Sequence, residues 1–125
     1  MRILITGVPG AGKTTLSETL GKVLNFPVLH TDSTKDMDWS DASEEVSRWL
    51  DAPGPWILEG VVVPRAFRKW YARGGEGKPL PFDRLVVMRT ERKPYTLPGQ
   101  PIMAKQVMGL LDTYKELFGD KWVEL

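Results

Sequence analysis

The run Gly7-Val8-Pro9-Gly10-Ala11-Gly12-Lys13-Thr14 satisfies the pattern G-x-x-x-x-G-K-[ST] at every fixed position, and it dictates what must stand on either side of it. Glycines let the backbone curl until several N–H groups converge, which makes a concave site for phosphate oxygens. A helix starting there adds the partial positive charge of its N-terminus. The lysine then reaches the β- and γ-phosphates of a nucleotide, and the hydroxyl after it can ligate magnesium. That geometry needs a strand leading in and a helix leading out, and both are legible. Arg2 to Thr6 is a short apolar run of the kind buried on both faces of a sheet. Leu16, Leu20, Val23 and Leu24 form one helical stripe, which Asn25 is placed to stop. A chance match in a glycine-rich turn would have no reason to sit between the two. Gly7, Val8, Pro9, Gly10, Ala11, Gly12, Lys13, Thr14 and Thr15 are therefore the expected nucleotide-binding residues.

The rest of the chain keeps alternating. Pro27 to His30 reads as a second strand. Asp41 and Glu44 suit a capping box for a helix whose apolar side is Val46, Trp49 and Leu50. The turn Pro53-Gly54-Pro55 ends that helix, and Trp56 to Leu58 makes a third strand. Pro64 suits the first turn of a helix carrying Phe67, Trp70 and Tyr71. After a flexible loop at Gly74-Gly75-Glu76-Gly77, Leu85 to Met88 gives a fourth strand. Pro101 opens a last helix through Met103, Val107, Leu110, Leu111, Tyr114 and Phe118; Gly119 closes it, and Trp122 to Leu125 is a fifth strand. Strands alternating with helices imply an α/β fold of three layers, with a five-stranded parallel sheet between the helices. A chain of 125 residues without repeats or linkers is expected to form one domain over residues 1–125.

Composition narrows the function classes. At 42% hydrophobic residues the chain can bury a sizeable core, and a net charge of +1 favours no class of partner. There are no cysteines, so disulfides and thiolate metal sites are excluded. One histidine, His30, reads as a satisfied buried or edge residue, and a zinc site would have to draw its other ligands from carboxylates. The apolar start is cut at once by Gly7, unlike a signal peptide. No stretch approaches the roughly 20 apolar residues of a membrane span. A soluble, cytoplasmic protein with no membrane partner is the expectation, and the oligomeric state is open.

Two nucleotide-binding classes fit poorly. A GTPase would carry Asn-Lys-x-Asp, yet the one asparagine, Asn25, precedes Phe26. Asp51-Ala52-Pro53-Gly54 fits D-x-x-G but precedes the third strand, so it reads as a turn. A motor ATPase would need a longer chain and a helical lid domain. The loop itself, Gly7 to Thr15, resembles that of the adenylate-kinase-like small kinases, which favour G-x-P-G-x-G-K-[ST]-T. Trp56-Ile57-Leu58-Glu59-Gly60 with Pro64-Arg65 resembles their third-strand segment, with glutamate where the nucleotide kinases have aspartate. The resemblance implies that Glu59 helps to hold magnesium and its water, and that Arg65 grips a substrate phosphate. It implies that Arg89 and Arg92, just after the fourth strand, stack on adenine or clamp the transferring phosphoryl group. The segment Glu91 to Gln100 is too short for a full lid domain, so a reduced lid is expected.

Phosphoryl transfer asks for positioning and charge neutralisation, with a carboxylate to take the acceptor's proton. Asp32 lies just past the second strand, on the ligand edge of such a sheet, where related hydroxyl kinases carry an aspartate. The candidate catalytic residues are thus Lys13, Asp32, Arg89 and Arg92. Asp32, Glu59 and Arg65 are the substrate candidates, and Thr14, Asp32 and Glu59 the magnesium candidates. Arg84 could instead pair with Glu59, and Asp36 and Asp38 read as a solvated acidic loop. From Arg65 to Lys93 nine basic residues face three acids, a bias towards a phosphorylated or nucleic-acid partner. The expected activity is a magnesium- and ATP-dependent phosphotransferase whose acceptor is a nucleotide, a nucleic-acid hydroxyl or a small metabolite. The alternative is an ATP-binding or ATP-hydrolysing regulatory module with no acceptor.

Overall fold

In a computed structural model describing residues 1–125, Arg2–Gly7 (β1) runs through the middle of a five-stranded sheet. Its neighbours are Trp56–Glu59 (β3) and Arg84–Met88 (β4), while Val28–His30 (β2) and Trp122–Glu124 (β5) form the edges. The order is β2-β3-β1-β4-β5 and every pairing is parallel. All five expected strands are present, the third extending to include Glu59.

Helices cover both faces: Lys13–Leu24 (α1), Trp39–Trp49 (α2), Val63–Trp70 (α3), Gln100–Thr113 (α4) and Lys115–Phe118 (α5). Alternation along the strands sorts the core into two layers. Ile3, Ile5 and Ile57 lie with Leu16 and Leu20 of α1. Leu4, Leu58, Leu85 and Val87 point the other way, into a larger cluster with Val46, Phe67, Val107 and Leu111. A strand covered on both sides must be apolar at successive positions, which is why β1 reads as a continuous run. Around Phe67 the rings of Trp70, Tyr71, Phe82, Tyr114 and Phe118 gather within 6.1 Å, tying α3 to the C-terminal helices.

Several local expectations change. The inward face of α1 is Lys13, Ser17 and Gly21, flanked by Leu16 and Leu20, whereas Val23 is 75% exposed and Leu24 is exposed as well. Small residues face the sheet because helix and strand approach closely there. The cap of α2 is Asp38, whose carboxylate accepts from the Asp41 N–H at 2.8 Å, so the helix begins earlier than the Asp41–Glu44 pair implied. The expected flexible loop begins as an ordered wide turn over Tyr71–Gly75, with Gly75 buried against the Trp70 ring. The last helix divides at Tyr114 (φ −102°, ψ 6°), where the tyrosine ring meets Phe67.

Gly21 carries a prediction whose sign opposes helix propensity. Alanine is about 1 kcal/mol better than glycine inside a helix, yet a Cβ at Gly21 would lie 2.5 Å from Val28 Cγ2. Overpacking of this kind costs about 1–3 kcal/mol. Gly21→Ala should therefore lower the urea midpoint, and adding Val28→Ala should recover part of the loss. A stabilised single variant would show that the helix and strand can move apart freely.

Candidate functional site

In a parallel sheet with this order, ligands gather beyond the carboxyl ends of the strands, where the connections from neighbouring strands diverge. The residues at those ends are Gly7 of β1, His30 of β2, Glu59 of β3 and Met88 of β4. Between Gly7 and α1 the chain curls into the glycine loop. Gly12 enters the helix at φ 91°, a left-handed value that glycine adopts without strain. No side chain caps α1, and its first intrahelical bond runs from the Leu16 N–H to the Gly12 carbonyl. The N–H groups of the first turn thus remain without helical partners, the arrangement that attracts phosphate.

Lys13 is folded into the loop, its Nζ donating to the Val8 carbonyl at 2.7 Å, and it is only 8% exposed. Burial pulls its ammonium below the ordinary lysine range, while the carboxylates of Glu59 and Asp32 act against that shift. Glu59 is 3% exposed. Its Oε1 accepts from Thr14 Oγ1 at 3.4 Å and lies 2.6 Å from His30 Nδ1. The partner of this buried carboxylate is therefore His30. Arg84, the partner considered from sequence, stands at the opposite end of β4 and donates to the Asp83 carbonyl. Just beyond Glu59, a Cβ on Gly60 (φ 145°) would overlap Thr31 Oγ1, so glycine lets the chain after β3 pass against the turn that carries Asp32.

Asp32 lies in a 3₁₀ turn over Thr31–Thr34. The turn is closed by backbone and by Thr34 Oγ1 donating to the Thr31 carbonyl, while no group of the chain donates to the Asp32 carboxylate. A cavity of about 500 Å³ is bordered by Lys13, Thr14, Thr15, Asp32, Glu59 and Arg92. The reduced lid appears as an irregular loop over residues 89–99, anchored by the Arg92 N–H donating to the Gly10 carbonyl at 2.8 Å. Lys93, Val61 and Met103 also border this cavity and were not singled out from sequence, since nothing in their spacing marks them.

Arg89 is not brought to the site. Its guanidinium is 3.0 Å from Glu124 and 3.3 Å from Asp112, and it fastens β5 to α4 on the far side of β4. Both arginines lie in the irregular loop after β4, where no strand register fixes their direction, and these two acids offered Arg89 a partner. Arg65 faces a neighbouring cavity of about 390 Å³, its guanidinium 5.8 Å from the Trp39 ring centre and its buried Nε without a hydrogen-bond partner. A third hollow links the two. Asp32 and Met103 border both it and the loop cavity, Trp39 borders both it and the Arg65 cavity, and Val61 borders all three.

The donors at the loop suit magnesium. They are oxygens only, a hydroxyl and carboxylates, and no group of three or more His, Asp or Glu residues is arranged to hold a metal ion by itself. Magnesium takes one or two carboxylates and otherwise keeps water and substrate phosphates, so a sparse oxygen set fits it better than a full protein cage.

Comparison with known proteins agrees with this geometry. Residues 3–55 match a family model described as an AAA domain, a span running from β1 to the approach to β3. No curated protein matches the chain. Among solved structures, shikimate kinase from Acinetobacter baumannii, in complex with shikimate, superposes with a TM-score of 0.60 at 15% identity, over 98% of this chain and 82% of that one. A gluconokinase from Sinorhizobium meliloti 1021 gives 0.62 at 14% identity, over 98% and 80%. At such identities the likeness is one of fold. The chain has the three-layer α/β/α fold of the P-loop small kinases. No helix is long and apolar enough to cross a membrane.

Two arginines three residues apart thus have different expected roles. Arg92→Ala should weaken nucleoside triphosphate binding about tenfold, the worth of one charge-assisted contact. Arg89→Ala should leave that affinity within about twofold, costing at most about 1 kcal/mol of stability for exposed ion pairs. Calorimetric titration of both variants checks this, and equal losses would return Arg89 to the site.

Proposed function

We propose that this chain is a magnesium- and ATP-dependent kinase that transfers the γ-phosphoryl group to a hydroxyl of a small, anionic metabolite. The observation that carries the reading is Asp32. Its carboxylate is free of protein partners, borders the loop cavity beside Lys13, and opens on the hollow that leads to Arg65. A proton acceptor between a phosphate site and an arginine-lined cavity is what a hydroxyl kinase needs. The fold relatives named for shikimate and gluconate give the same direction.

A nucleic-acid acceptor is less well supported, because much of the cationic bias is engaged internally. Lys69 donates to Ser40 and lies 4.0 Å from Glu44. Arg73 reaches Glu44, Ser47 and Asp51, all on or beside α2. With Arg89 also paired, the basic residues bordering the cavities are Arg65, Arg68, Arg92, Lys93 and Lys13 with Lys35, enough for a nucleotide and a small anion.

In this reading the free N–H groups of the loop and the Lys13 ammonium bind the β- and γ-phosphates, displacing the Lys13–Val8 bond. Thr14, Asp32 and Glu59 would hold magnesium or its water, and the ion would supply charge neutralisation on the phosphates. Arg92 steadies the γ-phosphate and Arg65 orients the acceptor through its anionic group. Asp32 takes the proton as the acceptor oxygen bonds to phosphorus. The bond from that phosphorus to the bridging oxygen breaks, and ADP leaves.

Lys13→Ala should abolish nucleotide turnover with an unchanged circular dichroism spectrum. Asp32→Asn should lower kcat by roughly a hundredfold or more, the range of a general base, with ATP affinity nearly preserved. Equal losses of both would leave Asp32 with the metal-holding role alone and remove its role as proton acceptor. ATP consumption screened against pools of hydroxy acids, sugars and sugar acids, nucleoside monophosphates and 5′-hydroxyl oligonucleotides tests the acceptor class. Label transferred to the acidic metabolites supports the proposal. Slow hydrolysis indifferent to every pool would favour an ATP-hydrolysing regulatory module instead.

A further inference from the structure

His30 stands opposite Glu59 in the parallel register of β2 and β3, and the two side chains meet at 2.6 Å between Nδ1 and Oε1. In the tautomer with its proton on Nδ1, the imidazole donates to this oxygen. The same oxygen receives the Thr14 hydroxyl, while no group of the chain donates to Oε2. Glu59 borders the loop cavity although it is almost wholly buried. One oxygen is therefore pinned and the other is left to face a ligand. On its far side, His30 Nε2 lies 3.8 Å from Glu18 Oε1. Glu18 is four residues after Thr14 and so on the same face of α1. The imidazole thus sits between β3 and α1, the two elements that supply Glu59 and Thr14.

We propose that His30 is a positioning residue: it fixes the rotation of the Glu59 carboxylate so that Oε2 is presented to magnesium, or to a magnesium-bound water, beside Thr14. The inference rests on the kinase reading above. Without the Nδ1–H donor, a buried carboxylate would turn to satisfy itself elsewhere, and the metal site would lose its shape while the glycine loop kept its own. Ligand-orienting partners of this kind typically change metal affinity by about 10–100-fold when removed.

The test uses calorimetric binding of a non-hydrolysable ATP analogue, titrated with magnesium and repeated in EDTA, with no acceptor present. His30→Ala should raise the magnesium concentration for half-maximal binding about tenfold, with metal-free affinity changed less than about twofold. His30→Asn places an amide donor near the position of Nδ1 and should recover most of the loss; His30→Gln carries its donor further out and should not. This pair carries the test if the alanine variant fails to fold. In a Glu59→Gln background, His30→Ala should add no further loss, as expected of groups acting through one another. A magnesium dependence unchanged in His30→Ala, losses that multiply in the double variant, or equal behaviour of Asn and Gln would overturn the inference alone. Absence of magnesium-dependent binding in the unaltered protein would overturn the kinase reading and the inference with it.

Discussion

Phosphate is held where backbone N–H groups have been left without partners, and in this chain that condition is met at the start of α1. The rest of the architecture keeps that spot in place. β1 is buried on both faces and lies between β3 and β4, so the loop that follows cannot drift relative to the strand ends beside it. The Val8 N–H donates to the Met88 carbonyl, and the Arg92 N–H donates to the Gly10 carbonyl, so the segment after β4 braces the loop from one side. From the other side, the Thr6 hydroxyl donates to the Gly60 carbonyl. A loop with little of its own side-chain packing is thus held by its neighbours' backbones.

Charge is distributed in two different ways around this frame. On the outer face of α2 and α3, Lys69 and Arg73 meet Glu44 and Asp51 in solvent-exposed pairs that contribute little stability individually. At the strand ends, Glu59 and Lys13 are buried while Asp32 is exposed, and the partners of all three are few. Glu59 has His30 and Thr14, Lys13 has a carbonyl, and Asp32 has none. An ionic group withheld from water gains most from a ligand that completes its partners. The orphaned Arg65 Nε, the sparsely partnered Lys13 and the free Asp32 carboxylate set this edge of the sheet apart from the paired surface of α2 and α3.

The sequence by itself determined the loop, the strand before it and the helix after it, because all three are set by neighbouring residues: glycines at fixed offsets, an apolar run, a helical repeat. The same locality made the five strands and the α/β alternation legible. It failed at positions where burial depends on what lies across a gap. Val23 and Leu24 look like core residues, yet Gly21 takes that place because β2 comes so near. Arg89 and Arg92, three residues apart, could not be told apart until β5 and α4 presented Glu124 and Asp112 to one of them. His30 and Glu59 are 29 residues apart and become partners only because β2 is hydrogen-bonded to β3 in that register. Strand order and register are long-range choices made by the packed core as a whole, so the tertiary structure decided which side chains share the cavity, which pair with one another, and which carboxylate was left free.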